Sequence, residues 1–234
     1  MEALKFVLKG KTAFFKNPEV NTYYYFTYGN IHKPALLGIF GAILGYQGYE
    51  SKFDIFPEYY NKLKDLKIAI VPNKENGHFH RKIQYFNNSV GYASYEKGGN
   101  LIVKEQWLEN PEWTIYVQID NAESQKLAQM IIDRQCIYTP YLGKNDHLAT
   151  IEDAQLVQLR EIDKMGIHID SLVMSSTVIF DWQESLFKYE EYLPISLKNS
   201  TNHHQLEKMI LTDAPLLEKS VCVYSEGNKN VVFY

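Results

Sequence analysis

The chain opens on an alternation of apolar and basic positions. Leu4, Phe6 and Leu8 are separated by Lys5, Val7 and Lys9, the period of a strand that buries one face. Residues 10 to 33 then form a long irregular connection rich in Lys, Asn, Thr and Tyr, a kind of loop that tends to carry function. At Pro34 the period lengthens. Leu36, Leu37, Phe40, Ile43 and Leu44 recur at three and four, which predicts a helix with proline in its first turn, where the missing N–H costs nothing. Gly38, Gly41 and Gly45 lie within that run, although a glycine there costs about 1 kcal/mol relative to alanine. Such a cost implies a close approach, by the helix's own sheet in the favoured reading and by a ligand in the other. Residues 57 to 65 predict a short helix behind Pro57, and Ile68 to Val71 a strand.

Residues 73 to 100 are polar, aromatic and turn-rich with no helical period, and read as an extended hairpin or finger. Leu101 to Leu108 and Trp113 to Ile119 are β-rich runs joined by Glu109-Asn110-Pro111-Glu112, which predicts a hairpin with its turn at Asn-Pro. A helix over Ala122 to Arg134, with Leu127, Met130 and Ile131 on one face, leads into a strand over Ile137 to Leu142. Strand, helix, strand, strand, helix, strand is the order of an α+β chain with a ferredoxin-like or RRM-like βαββαβ domain. Beyond it lie short β-rich runs: Leu156 to Ile162, Gly166 to Met174, Thr177 to Phe180, Val221 to Ser225 and Val231 to Tyr234. The expected organisation is an RRM-like domain over residues 1 to 150, with the finger inserted at about 73–100, and a smaller β-rich lobe over residues 151 to 234.

Composition narrows the class. At 234 residues, 45% hydrophobic and 22% charged, with a mean hydropathy of −0.32, the chain is neither collagen-like, nor disordered, nor a disulfide scaffold. Cys136 and Cys222 stand far apart without CxxC spacing, so we expect two buried thiols of a reducing cytosol. No run approaches 18 apolar residues, and the start offers no continuous apolar stretch. A cytoplasmic protein without a membrane partner is expected. The net charge of −4 conceals an asymmetry: residues 1 to 108 carry 14 Lys and Arg against 9 Asp and Glu, and residues 109 to 234 carry 10 against 19. A polyanion would bind the amino half, while the acidic half would repel it or face a basic protein.

The candidate chemistry follows the charge. Lys9, Lys11, Lys16, His32 and Lys33 are interleaved with Tyr23, Tyr24, Tyr25, Phe26 and Tyr28, and this mixture suits single-stranded RNA: cations track phosphate and aromatic faces stack unpaired bases. Taken singly, each fits equally well a solvated lysine face above an aromatic core. The start of the Pro34 helix could hold a phosphate. Gly143 permits a turn from which Lys144 and Asn145 can reach RNA. Asp146 and His147 beside it are better read as caps, of the turn or of a helix over Ile151 to Ala154, than as catalysts. His78, His80, Arg81 and Lys82 cluster in the finger, where with Tyr85 they suit contact with a partner. The HxH pair lacks a third ligand, so no metal and no cofactor are expected. His203 and His204 are expected at the surface.

Three stretches, KPALLGIFGAILG (Lys33 to Gly45), KEQWLENPEWTIYV (Lys104 to Val117) and YTPYLGKNDHLATIED (Tyr138 to Asp153), together resemble a known family. It is the CRISPR-associated subunit that caps the crRNA 5′ handle in type I Cascade complexes, the fifth family of the Cas naming scheme, and the details look closest to type I-B. The resemblance implies an RNA-recognition-like domain holding the 5′ handle of the crRNA and a thumb-like hairpin packed on the adjacent backbone subunit. It also implies contact with the large subunit that reads the protospacer-adjacent motif, and with target DNA through the complex. In this reading the chain serves assembly and antiviral defence without catalysis. The alternative is a metal-independent endoribonuclease that processes the crRNA precursor, as in a related type I-C branch, with His32, Lys33 and a nearby Tyr as general base and cation. A metabolic enzyme or toxin finds no phosphate loop, nucleophile elbow or metal cluster in this sequence.

Overall fold

A computed structural model describes residues 1–20, 23–51, 54–88, 95, 101–199 and 201–234. The fold is α+β and dominated by strands. The first part of the chain forms β1 (Glu2–Lys9), β2 (Thr12–Ala13), α1 (Lys33–Leu44), α2 (Glu58–Leu63), β3 (Ile68–Pro72), β4 (His80–Asn87), β5 (Ile102–Glu109), β6 (Glu112–Gln118), α3 (Ala122–Ile132) and β7 (Thr150–Gln158). Then come β8 (Arg160–Ile162), β9 (Ile169–Met174), β10 (Val178–Phe180), β11 (Lys188–Leu197), β12 (His204–Thr212), β13 (Leu216–Lys219), β14 (Val223–Glu226) and β15 (Lys229–Val232).

The central sheet has the order β3-β6-β1-β7 and is antiparallel throughout. The opening alternation becomes β1: Leu4, Phe6 and Leu8 face the main core with Trp113 and Ile115 of β6, Ile68 and Ile70 of β3, and the apolar stripes of α1 and α3. All five residues that predict α1 are buried. His32 caps its start, accepting the Ala35 N–H at Nδ1, and Gly45 ends it at φ 77°. Asn121 and Ser124 form a capping box at the start of α3. On the opposite face of the sheet, Ala3, Ala69, Val71 and Tyr116 pack against Leu159 and Val231, so carboxyl-terminal segments cover its middle.

Several expectations are corrected. The runs 101–108 and 113–119 do not pair with each other. Asn110-Pro111 is instead a bend in one long path that crosses between sheets: β6 pairs with β1, and β5 pairs with β2 and β4. Asn110 takes φ 47° there, and Gly10 donates to the Pro111 carbonyl at the matching break between β1 and β2. The second arm of the finger is therefore β5, which closes on β4 with Asn88 N–H donating to the Leu101 carbonyl. Of the expected finger, residues 89–94 and 96–100 lie outside the described residues.

Ile137 to Leu142 is not a strand, because its N–H groups are used elsewhere. Ile137 and Tyr138 donate to the Ile43 and Ala42 carbonyls, satisfying the free end of α1. Strand β7 takes the fourth place in the sheet, so Ile151 to Ala154 is extended and not helical. Cys136 and Cys222 are both exposed, not buried. In the carboxyl part β11 and β12, unforeseen in the sequence, form the longest ladder, with Pro194 tolerated at an irregularity on an edge strand. Among the described residues no helix is long and apolar enough to cross a membrane.

Candidate nucleic-acid interface

Strand β2 leads into Phe14, Phe15 and Lys16, and the chain returns through Thr27, bridged to Lys16, before entering α1. A cavity of about 690 Å³ opens between this loop, α1, Glu105 of β5, and the turn at Tyr141 to Lys144. Its helix side is lined by Pro34, Ala35, Gly38, Ile39 and Ala42. No heavy atom lies within 4 Å of where a Cβ on Gly38 would stand. Gly41, one turn on, has the other role: a Cβ there would stand 2.5 Å from the Cβ of Tyr59. The close approach expected of these glycines is thus made by α2 at Gly41, not by the sheet, while Gly38 leaves open space.

The turn that forms the far wall is fixed by its backbone. Leu142 donates to the His147 carbonyl (2.7 Å), Phe14 donates to the Leu142 carbonyl (3.0 Å), and Gly143 sits at φ 92°. A Cβ on Gly143 would lie 1.8 Å from the Phe14 carbonyl oxygen, so only glycine fits. Lys144 reaches Glu105, 3.1 Å from each carboxylate oxygen, and the Trp107 indole donates to the same carboxylate at 2.8 Å. This buried Glu105 neutralises Lys144. Lys16 makes no ion pair among the described residues, and its ammonium lies 4.2 Å from the centre of the Tyr25 ring.

His32 is 5% exposed and lines the cavity, caged edge-on by Phe15, Tyr28 and His204. Burial, reinforced by His204, pulls its pKa down to about 3, so the ring stays neutral. His204, expected at the surface, also lines the cavity. Burial and the neighbouring His203 lower its pKa as well, and its Nδ1 is sealed without a partner. Its only sequence signal was the doublet His203-His204, which carries no period. His147 is buried, bonded through Nδ1 to Thr12 Oγ1 (2.6 Å) and edge-on to Trp107. It holds the turn to β2 and caps no helix.

Of the residues read from sequence as RNA contacts, Lys16, Tyr25, His32 and Lys144 line this cavity. Lys9 pairs with Glu152 at 2.6 Å, and with Lys11 it borders a separate depression of about 300 Å³. Tyr28 is buried in the core, and Tyr23 and Asn145 are exposed outside the cavity. Lys33 points to the Tyr234 main-chain oxygen (3.0 Å), and burial lowers its pKa to about 8. The finger residues do not form one cluster. His80 is exposed, Lys82 leans to Glu109 (3.8 Å) and His78 stacks edge-on against Tyr189. Arg81 lies by Gly29, whose N–H donates to the half-buried Glu191 carboxylate. Tyr85 instead joins the loop: its hydroxyl is 3.0 Å from that of Tyr24, and Lys104 covers both rings at 5.1 and 5.5 Å. Lys104 was not foreseen; its place within an alternating β-run was the available signal.

The sequence matches no family model and no curated protein. Solved structures with a similar fold exist. A chain of a "CRISPR RNA-guided surveillance complex" aligns with a TM-score of 0.57 at 12% identity, over 91% of this chain and 91% of that one. A CRISPR protein from Archaeoglobus fulgidus aligns with a TM-score of 0.54 at 11% identity, over 99% of this chain and 98% of that one. Both of these structures, similar to this chain in fold over nearly the whole length of each, are of CRISPR proteins.

Proposed function

We propose that this chain is an RNA-binding subunit of a type I CRISPR surveillance complex, closest to type I-B, and that it holds the crRNA 5′ handle in the cavity beside α1. The carrying observation is the cavity itself, a slot lined by aromatic and aliphatic residues and by Lys16, which makes no ion pair among the described residues, so that a base can leave solvent while its phosphate meets a cation. The strand order β3-β6-β1-β7, with α1 and α3 as crossovers, supports a ferredoxin-like, RRM-like reading of the amino-terminal part. The finger would contact the backbone subunit, and the acidic carboxyl half a more basic neighbour such as the large PAM-reading subunit, with target DNA engaged through the complex.

We read the site as binding and not cutting. A histidine held near pKa 3 is a poor base, and its Nδ1 lone pair is already committed to Ala35. The test places a side chain where Gly38 leaves room. Gly38→Leu should weaken binding of labelled repeat RNA at least about tenfold, the scale of one lost stacked base, with melting no lower than that of the wild type. Wild-type affinity in that variant would place the RNA elsewhere. Metal-independent cleavage at one position by the wild type would favour the endoribonuclease.

A further inference from the structure

We propose that His32 is a base-reading residue: a neutral hydrogen-bond donor, fixed in one tautomer by the helix it caps, that selects a keto nucleobase in the cavity beside α1. This rests on reading the cavity as an RNA site.

The tautomer follows from the cap. Nδ1 accepts the Ala35 N–H, so it carries a lone pair, and the single ring proton of the neutral imidazole must reside on Nε2. Nε2 makes no hydrogen bond to any described residue. It is not among the sealed unpartnered atoms, unlike the Nδ1 of His204, so it remains open to the cavity it lines. Three rings, Phe15, Tyr28 and His204, hold the imidazole edge-on, so the donor points in a fixed direction. The side chain is 5% exposed, and its one unpartnered donor is presented to the cavity, where an entering group can supply the acceptor.

The acceptor sought is a base oxygen and not a phosphate. An uncharged donor in an aromatic cage offers a phosphate little, and Lys16 in the lining serves that role. The one carboxylate of the lining, Glu105, is already engaged by Lys144 and Trp107. An exocyclic amino group entering the cavity would find no free carboxylate to receive it, whereas a carbonyl would find His32. Uracil and guanine present such a carbonyl where cytosine and adenine present an amino group.

The comparison is between uridine and cytidine octamers, alike in size and different at C4, measured by fluorescence anisotropy with the full chain. The wild type should bind the uridine octamer about fivefold tighter or better, the worth of one hydrogen bond plus the penalty of an unpaired amino group. His32→Asn keeps a side-chain acceptor for the helix start but withdraws the distal donor, and should bring the two octamers within about twofold. Lys16→Ala should weaken both octamers equally and flatten the salt dependence. If the wild type does not discriminate, or if His32→Asn discriminates as before, His32 does not read the base. If neither octamer binds, the RNA reading of the cavity falls, and this assignment with it.

Discussion

At the scale of single residues, histidine is where sequence and structure diverge most. Nothing in the sequence separates His32, His147 and His204, which become a neutral cap, a buried strut and a cavity wall, from the exposed His80 and His203. Burial is set by distant parts of the chain: the cage around His32 takes Phe15 and Tyr28 from its own loop but His204 from β12. A buried neutral histidine couples folding to acid in a defined direction. The folded ring titrates near 3 and the unfolded ring near 6.5, so below pH 6.5 the unfolded chain takes up a proton that the folded chain refuses. Stability attributable to this group is intact above pH 6.5 and falls as the pH drops toward 3. Between pH 7 and pH 5 the loss should be about 2 kcal/mol, and His204, shifted the same way, adds to it. Urea unfolding at the two pH values should show a smaller loss in His32→Asn than in the wild type by roughly that amount. Equal losses would mean that the ring is protonated in the folded protein.

At the scale of elements, the sequence was most legible where one period ran long enough to act alone. Strand β1 and helices α1 and α3 lie where alternation and three-four spacing put them. Legibility failed where partners far along the chain decide. Asn-Pro signals a turn locally, but β1 and β2 bend at the matching place and draw β5 and β6 along as one path. Ile137 to Leu142 has strand composition, yet its N–H groups complete the end of α1. In β11, with Pro194 and several charges, the partner β12 supplies what local composition lacks. The glycines of α1 show the same division. Each looks equally costly in sequence, but Gly38 faces open space and Gly41 faces the Cβ of Tyr59. Gly38→Ala should therefore stabilise the chain by about 0.5–1 kcal/mol through helix propensity. Gly41→Ala should destabilise it by about 1–3 kcal/mol, because a Cβ cannot swing aside as a flexible side-chain end would. Denaturant midpoints decide it, and a reversal of the two signs, or the same sign for both, would refute the assignment of faces.

At the scale of the whole molecule, the two faces of the central sheet are unequal, and this bears directly on the proposed RNA site. RRM-type domains stack bases on aromatic residues of an open sheet face. Here β9 and β15 lie over β3, and the face away from the helices holds Tyr116, only 1% exposed. Its hydroxyl donates to Glu226 at 3.1 Å, and Lys5 reaches the same carboxylate at 2.7 Å, so the ring and its polar end are both engaged by the chain's own carboxyl strands. No base can stack there without lifting β14 and β15. The sequence could suggest the βαββαβ order but not this covering, because β14 and β15 are short runs more than a hundred residues from the strands they protect. On the proposed RNA-binding reading, the helix-side cavity is the place that remains. A uridine octamer carrying one 4-thiouridine should, on irradiation, crosslink to peptides containing Phe14 to Lys16, Tyr25 or Tyr141, and not to the peptide spanning Trp113 to Gln118. Tyr116→Ala should lower stability by about 3–5 kcal/mol as a core truncation, while the protein that remains folded binds RNA with unchanged affinity. A crosslink at Tyr116, or an affinity that falls in proportion to its truncation, would return the binding site to the sheet.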